Sequence, residues 1–328
     1  MKKYDYPISV IRILALLIVL VLHVRQSCNM DIACFPYYIG VPLFLLISGF
    51  LFGLTDVTDV KDWYIRRFKR IQIPYWLLLC LNLVVGFFLG KTLSLIEGIQ
   101  GLLALPAFPK GHYGMAHTWY ITYILLCYLL VPPVFKGLKH CATSRGGGKL
   151  LVIGVLGMIL PLTFLTSYTP FIGKISSAQI HVFLAAFFVA YFLGKRTRRE
   201  VGILFSLLGG CLYALLYLLS TRLVALEAII EIYKHSCISL AFFGALFIVL
   251  DLIDWEKIVT QQVDLAIRWI DRNSYYIYLS HYWFTAMSWW NVFKDGLSWM
   301  SVLLFVVLTS ISTILLSYIS ETIIKKIK

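Results

Sequence analysis

Long apolar runs recur along the whole chain, and short segments that carry most of the charge separate them. A helix needs about 20 predominantly apolar residues to cross the roughly 30 Å hydrocarbon core of a bilayer, and the runs are close to that length. The pattern predicts an all-α integral membrane protein, a bundle of about ten transmembrane helices. The predicted spans are Ile8–Val24, Pro36–Leu54, Ile71–Leu89, Thr118–Phe135, Leu150–Thr166, Gln179–Gly194, Val201–Leu219, His235–Leu252, Ser274–Trp290 and Trp299–Ile319.

Three segments between the spans have a character of their own. Asp254–Asn273 places apolar residues on one helical face and charged residues on the other, which predicts a helix on the membrane surface. Gly90–His117 is too apolar for a solvated linker, and we expect it to fold back into the protein, where non-helical backbone can line a cavity. Glu227 and Glu231 are expected in the outer loop before the eighth span, as a solvated pair or an acid–base pair.

The charge distribution predicts the orientation of the chain. The composition is 60% hydrophobic and only 14% charged, yet the formal net charge is +13. Of the 29 Lys and Arg residues, 21 fall in one set of alternating loops and 7 in the other. The positive-inside rule then places both termini in the cytoplasm, as an even number of spans requires. We therefore expect a multi-pass protein of the cytoplasmic membrane, with the lipid bilayer and not nucleic acid as the partner of its positive charge.

Two ionisable residues interrupt the first span. Arg12 and His23 are eleven residues apart, so they lie on nearly the same helical face, about 16 Å apart along the axis. Because ionisable side chains in a membrane avoid lipid, we expect both to face the interior of the bundle. Arg12 is also close to the start of the span, where a long basic side chain can reach the membrane surface.

A basic cluster precedes the third span, in the stretch "RRFKRIQIPYW". Arg67 and Arg70 are three residues apart and share one helical face, and Arg66 and Lys69 add charge beside them. One explanation is orientation and attraction to anionic lipid head groups. The other is a ligand, because two arginines at this spacing can bind a phosphate or pyrophosphate in a forked geometry.

Further polar residues occur inside or next to apolar runs. Tyr278 and His281 share a helical face in "NSYYIYLSHYWF", as core residues or as the lining of a cavity. His117 and Trp119 begin the fourth span in "HTWYI", where aromatic residues are typical of the membrane interface. Ser48 and the glycine after it lie in the middle of the second span, where small residues permit close helix packing.

The chain lacks the common nucleotide and metal motifs. It has no P-loop, no dinucleotide-binding glycine pattern and no nucleophile elbow, and its seven cysteines have no metal-type spacing. We therefore expect no metal site.

The order of the polar motifs resembles the acyltransferase family 3, which consists mostly of bacterial membrane O-acyltransferases. Arg12 and His23 match the Arg-x10-His pattern of its first helix, and Arg67 and Arg70 match Arg-x-x-Arg at the start of its third. The family's "FFxxSG" element corresponds to "LFLLISG", in which a leucine replaces one phenylalanine. "HTWYI" matches "HxWfl", and "SYYIYLSH" matches "sYxxYLxH".

The resemblance implies a single acyltransferase domain over residues 1–328, in the form without a fused extracytoplasmic domain. It implies a cytoplasmic acyl-CoA donor, usually acetyl-CoA, and an extracytoplasmic hydroxyl as acceptor, often on a cell-envelope glycan. His23 is then the expected catalytic residue. The arginines expected to bind the CoA phosphates are Arg12, Arg66, Arg67 and Arg70. The candidates for the substrate pocket are Ser48, His117, Trp119, Tyr278 and His281.

The sequence leaves two mechanisms and a second function open. His23 either removes a proton from the acceptor hydroxyl as a general base or carries the acyl group itself. Its carboxylate partner is not identified, although Asp31, Glu227 and Glu231 are on the predicted outer side. The alternative function is a small-solute transporter or a membrane module of a larger envelope-modifying system. The acceptor, the acyl group and the oligomeric state are not encoded in any motif.

Overall fold

The computed structural model describes residues 4–30, 39–90, 94–105, 115–141, 147–167, 180–194, 196–220, 227–286 and 291–327. This part of the chain forms helices and no strands, so the predicted all-α class is confirmed for it. The α-helices are α1 (Tyr6–Ser27), α2 (Gly40–Gly53), α3 (Val60–Phe88), α4 (Leu95–Leu102), α5 (Trp119–Cys141), α6 (Gly147–Ser167), α7 (Ile180–Leu193), α8 (Arg198–Ser220), α9 (Glu227–Asp251), α10 (Trp255–Ile258), α11 (Gln261–Ser280), α12 (Trp283–Ala286) and α13 (Trp299–Lys326).

Within the described residues, six helices are long and apolar enough to cross a membrane: α1, α3, α5, α8, α9 and α13. Three apolar stretches are shorter, namely α2, α7 and Gly147–Pro161 of α6. A multi-pass membrane protein is therefore supported, whereas the predicted number of ten spans is not confirmed. The predicted limits Pro36, Gln179 and Trp290 lie outside the described residues.

The predicted ninth span is wrong as a continuous helix. α11 runs from Gln261 to Ser280, joining part of the predicted surface helix to the start of the predicted span, and it is capped at His281. Its first part is exposed and amphipathic, whereas the part from Asn273 onward is mostly buried. The apolar run after Ser274 contains no Pro or Gly that would have indicated this break.

Two other predicted boundaries also change. α3 begins at Val60 instead of Ile71, with the Asp59 side chain accepting a hydrogen bond from the backbone N–H of Asp62 at 2.9 Å. The basic cluster is therefore helical, as its spacing required. Glu227 is the first residue of α9, so this helix begins eight residues before the predicted eighth span, His235–Leu252, and includes the helical segment expected at Glu227 and Glu231.

Close packing of α2 against α7 organises the centre of the bundle. A Cβ atom at Gly49 would collide with the backbone carbonyl of Phe183, so only glycine allows the two helices to approach this closely. One large apolar core lies on each side of this pair: one with α3 and α5, the other with α1 and α9. The predicted role of the small residues in the second span is thus confirmed at Gly49.

Several predicted inner loops meet through polar contacts. Arg198 at the start of α8 pairs with Asp5 at 2.5 Å, and Lys139 near the end of α5 pairs with Asp56 at 2.8 Å. Lys69 donates a hydrogen bond to the carbonyl oxygen of Ile327 at 2.9 Å. Loops that the charge pattern assigned to one side therefore contact each other, although the cytoplasmic sidedness itself remains a prediction.

The segment before α5 folds back against the bundle where it is described. Trp76 of α3 donates a hydrogen bond to the carbonyl oxygen of Leu102 at 2.8 Å. The Thr122 hydroxyl of α5 donates a hydrogen bond to the carbonyl oxygen of Ala104 at 3.1 Å. Thr122 and Ala104 are both buried. Residues 106–114 of the predicted Gly90–His117 segment lie outside the described residues.

Candidate functional site

A cavity of about 650 Å³ lies between α1, α2, α3, α5, α11 and α13, and we call it the arginine-lined cavity. Five of the site residues predicted from the sequence line this cavity: Arg12, Ser48, Arg67, Arg70 and Tyr278. Its volume is within the range of small-molecule binding pockets, roughly 300–1,000 Å³. The cavity is therefore large enough to take an organic substrate or cofactor.

The cavity is elongated along α2. Its lining residues on this helix run from Val41 to Phe52, which corresponds to about 17 Å at 1.5 Å per residue, and Thr55 lines it just beyond the end of the helix. α2 and α5 run in parallel, because Phe44 contacts Tyr120 with 6.2 Å between ring centroids and Phe52 contacts Tyr128 at 5.1 Å. The two ends of the cavity are thus a Phe44–Tyr120 end and a Phe52–Tyr128 end.

The two ends differ in charge and in exposure. At the Phe52–Tyr128 end, the Arg67 guanidinium lies over the Phe52 ring at 4.8 Å, and four lining residues are exposed: Thr55, Arg70, Arg272 and Glu321. At the other end, Tyr120 and Tyr278 are buried. The cavity is therefore more exposed at its arginine-rich end, and the opposite end, which we call the closed end, has the buried rings of Tyr120 and Tyr278 beside the half-buried Val41 and Phe44.

Arg67 and Arg70 form no ion pair with a described carboxylate, although Glu321 lines the same end of the cavity. None of the ion pairs among the described residues includes either side chain. Arginines that share one helical face and lack a carboxylate partner are suited to bind a phosphate or pyrophosphate group. Their position on the cavity favours the ligand explanation of the basic cluster over orientation alone.

Arg66 lies outside the cavity. Its side chain is 66% exposed and pairs with Asp62, four residues earlier, at 2.8 Å. One residue along a helix corresponds to a rotation of about 100°, which turns Arg66 away from the face of Arg67.

Arg12 lines the cavity but is already paired. Its guanidinium donates a hydrogen bond to Asp271 Oδ1, and Asp271 Oδ2 accepts hydrogen bonds from the hydroxyls of Tyr4 and Ser9, each at 3.0 Å. The carboxylate thus ties α11 to α1 and to the segment before it. The sequence prediction missed Asp271 as a partner, because it placed this residue on the polar face of a surface helix.

Two other polar residues of the cavity were not predicted from the sequence. Glu321 comes from α13 near the end of the chain, and the Tyr276 hydroxyl donates a weak hydrogen bond to it at 3.4 Å. Arg272 follows Asp271 on α11 and adds a further guanidinium. No local motif marks these residues, because their positions on the cavity depend on the packing of the helices to which they belong.

The three histidines predicted from separate motifs lie together, and we call them the three-histidine cluster. The ring of His281 is 5.1 Å from that of His23 and 5.6 Å from that of His117. Tyr282 joins the group, stacked on His117 at 4.3 Å and edge-on to His23 at 5.1 Å. Within the described residues, no group of His, Cys, Asp or Glu has the arrangement of a metal site.

Hydrogen bonds fix the two buried histidines and leave one nitrogen of each without a partner. His117 Nε2 donates to the carbonyl oxygen of Leu279 at 3.1 Å, and its Nδ1 is unpartnered. His281 Nδ1 donates to the carbonyl oxygen of Tyr278 at 2.7 Å, and its Nε2 is unpartnered. In the neutral form of each ring, the second nitrogen is then available as a hydrogen-bond acceptor.

His23 is half-buried, and its described partner is an amide instead of a carboxylate. Its Nδ1 donates a hydrogen bond to Gln26 Oε1 at 3.1 Å, which leaves the lone pair of Nε2 free to accept a proton. Of the carboxylates considered above, Asp31 lies outside the described residues, as do the side chains of Glu227 and Glu231.

Tyr278 lies between the cavity and the three-histidine cluster. It lines the cavity, and its hydroxyl donates a hydrogen bond to the backbone carbonyl of His117. None of the three histidines is among the residues that line the cavity. The predicted pocket residues thus divide: Ser48 and Tyr278 line the cavity, whereas His117 and His281 belong to the cluster. Trp119 belongs to neither and packs against Tyr123 at 5.7 Å.

Comparison with known proteins identifies the family. No curated protein and no solved structure matches the chain. A family model described as an acyltransferase domain, that of the acyltransferase 3 family, matches residues 5–321, which include the whole arginine-lined cavity and the three-histidine cluster. The chain therefore belongs to the acyltransferase 3 family.

Proposed function

We propose that the protein is a membrane O-acyltransferase that transfers an acetyl group from cytoplasmic acetyl-CoA to a hydroxyl of a cell-envelope glycan outside the membrane. Family membership makes the chain a membrane acyltransferase. The observation that carries the finer proposal is the arrangement of one elongated cavity, with unpaired arginines at its open end and a histidine cluster beyond its closed end. The whole chain acts as one domain in this proposal.

The donor binds with its phosphates at the open end. Arg67 and Arg70 bind the phosphate groups, since neither forms an ion pair with a described carboxylate. Arg12 contributes its remaining N–H groups while one of them is held by Asp271. Arg66 is left out of the proposed donor site because it lies outside the cavity.

The positions of Arg12 and His23 along α1 match the two sides of the membrane on which the proposed donor and acceptor are found. Arg12 and His23 belong to one unbroken helix and are about 16 Å apart along its axis. The loops near the arginine-rich end carry the excess of basic residues, which supports a cytoplasmic position for that end. His23 is then close to the outer surface, where a glycan acceptor is available.

His23 acts on the acceptor hydroxyl. In the direct route, Nε2 of His23 takes the hydroxyl proton while the hydroxyl oxygen attacks the thioester carbonyl. The C–O bond forms, the C–S bond breaks, and the proton passes to the departing CoA thiolate. In the alternative route, Nε2 first takes the acyl group and then passes it to the acceptor. His117 and His281 surround this position as neutral acceptors.

The role of His23 is tested with radiolabelled acetyl-CoA and membranes that contain the full chain and the acceptor glycan. His23→Ala is expected to abolish label transfer to the glycan, while acetyl-CoA binding to the purified protein persists. Retained transfer would contradict the role given to His23. Transfer by neither protein, together with uptake of a small solute into liposomes, would favour the transporter alternative.

The donor site is tested by acetyl-CoA binding to purified variants. Arg67→Ala and Arg70→Ala are each expected to weaken binding about tenfold or more, which corresponds to about 1.4 kcal/mol. Arg66→Ala is the matched control on the same helix, and it is expected to change binding less than about twofold. Equal effects of all three substitutions would indicate that the basic cluster serves membrane orientation instead of donor binding.

A further inference from the structure

We propose that Tyr278 is a specificity-determining residue that restricts the donor to short acyl groups. The proposal rests on the proposed function, because it assumes that an acyl-CoA occupies the arginine-lined cavity. It adds a residue that closes the cavity at the end where the acyl group is bound.

The position of Tyr278 follows from the geometry of the helices. On α11 it is seven residues beyond Asp271, which places it about 10 Å further along the helix axis than the partner of Arg12. Its ring is 5.8 Å from that of Tyr120, which in turn contacts Phe44. Tyr278 is thus at the closed end, away from the exposed arginines.

Contacts on several sides hold the Tyr278 side chain in place. Its hydroxyl donates a hydrogen bond to the carbonyl oxygen of His117, and its ring is 5.8 Å from His117 and 5.9 Å from His281. Tyr120 packs against it edge-on, and only 4% of the residue is exposed. A phenol ring packed in this way forms a wall while the donor is bound, and it has to move aside before the acyl group reaches His23, since protein interiors leave little room for both.

The wall limits the length of the acyl chain. A donor with its phosphates at Arg67 and Arg70 has its acyl group at the other end of the cavity. A short acyl group ends before the ring, whereas each added methylene brings the chain closer to it. A long chain requires the ring to move, which breaks the hydrogen bond to the His117 carbonyl and separates Tyr278 from Tyr120. Donor affinity is therefore expected to fall as the acyl chain grows.

The test measures competition with labelled acetyl-CoA for the purified full-length protein. Free CoA, acetyl-CoA, butyryl-CoA and octanoyl-CoA compete in turn. For the wild type, octanoyl-CoA is expected to bind at least about tenfold more weakly than acetyl-CoA. Tyr278→Phe keeps the ring and is expected to keep this ratio. Tyr278→Ala opens the wall and is expected to bring the two affinities within about threefold, as is Tyr278→Leu if the alanine variant does not fold.

A matched control separates the wall from the cavity as a whole. Tyr128 lines the open end of the same cavity, so Tyr128→Ala is expected to weaken all four ligands alike and leave the chain-length ratio unchanged. An unchanged ratio in Tyr278→Ala and Tyr278→Leu would overturn the proposal, as would a wild type without chain-length preference. If free CoA itself does not bind the wild type, the proposed donor site fails, which is a different result from an unchanged ratio.

Discussion

The pairing of Arg12 with Asp271 predicts that these two side chains are energetically coupled. Each is partly shielded, with 24% of the Arg12 side chain and 14% of the Asp271 side chain exposed. The carboxylate also holds Tyr4 and Ser9. Removing the carboxylate therefore leaves a guanidinium without its counter-charge, whereas removing the guanidinium leaves a carboxylate that still has two hydroxyl donors.

The expected magnitude follows from this difference in remaining partners. A hydrogen bond to a charged group contributes about 1.5–3 kcal/mol, whereas a fully exposed ion pair contributes about 0.2–1 kcal/mol. We expect Asp271→Asn to lower the free energy of unfolding by about 3 kcal/mol, near the lower limit for breaking a buried pair. Arg12→Gln is expected to lower it by about 2 kcal/mol. The double variant is expected to lose about 2 kcal/mol less than the sum of the two.

The assay is a double-mutant cycle in which SDS titration in mixed micelles gives the free energy of unfolding. Asp62 and Arg66 provide the control cycle, because they form an ion pair at 2.8 Å on α3 in which both side chains are at least half exposed. The control pair is expected to show no coupling beyond experimental error. If the coupling of Arg12 with Asp271 is no larger than that of the control, the reasoning from burial is wrong.

Two further predictions concern helix packing and use the same titration. Gly49→Ala is expected to destabilise the protein by about 1–3 kcal/mol, because the new Cβ meets the Phe183 carbonyl. Gly154→Ala, where the space is open, is expected to stabilise it by about 0.5–1 kcal/mol, and equal effects would refute the close approach. Ser236→Ala removes the hydroxyl 2.6 Å from His181 Nε2 and is expected to cost about 1 kcal/mol. It is expected to leave acetyl-CoA binding unchanged, so weaker binding would contradict a purely structural pair.

Hydropathy located the apolar part of each helix better than its ends. The predicted first span, Ile8–Val24, lies within α1, because a long and mostly apolar run in a bilayer satisfies its backbone hydrogen bonds by forming a helix. The basic residues of α3 were assigned to a loop since they end the apolar run, yet the helix continues through them. The break after Ser280 had no sequence signal, because aromatic residues continue the apolar run on both sides of it.

Helical periodicity predicted the arrangement within a helix but not the contacts between helices. The common face of Arg12 and His23 could be derived because both belong to one helix. The pairing of Arg12 with Asp271 joins residues 259 positions apart, and no local pattern records such a contact. Each histidine of the cluster was identified by its own motif, whereas their meeting depends on how three segments of the chain pack.

The length of the cavity and the distance between Arg12 and His23 along α1 both require an extended donor. About 650 Å³ distributed over about 17 Å averages to a cross-section of about 40 Å², which suits one extended chain better than a folded one. The approximately 16 Å between Arg12 and His23 is fixed by the rise of a single helix. A donor bound by its phosphates at the open end must therefore be extended toward the closed end, with Tyr278 between its acyl group and the histidines. In the proposed function, a displacement of that ring is therefore expected to change both the length of acyl group accepted and the access of the acyl group to His23.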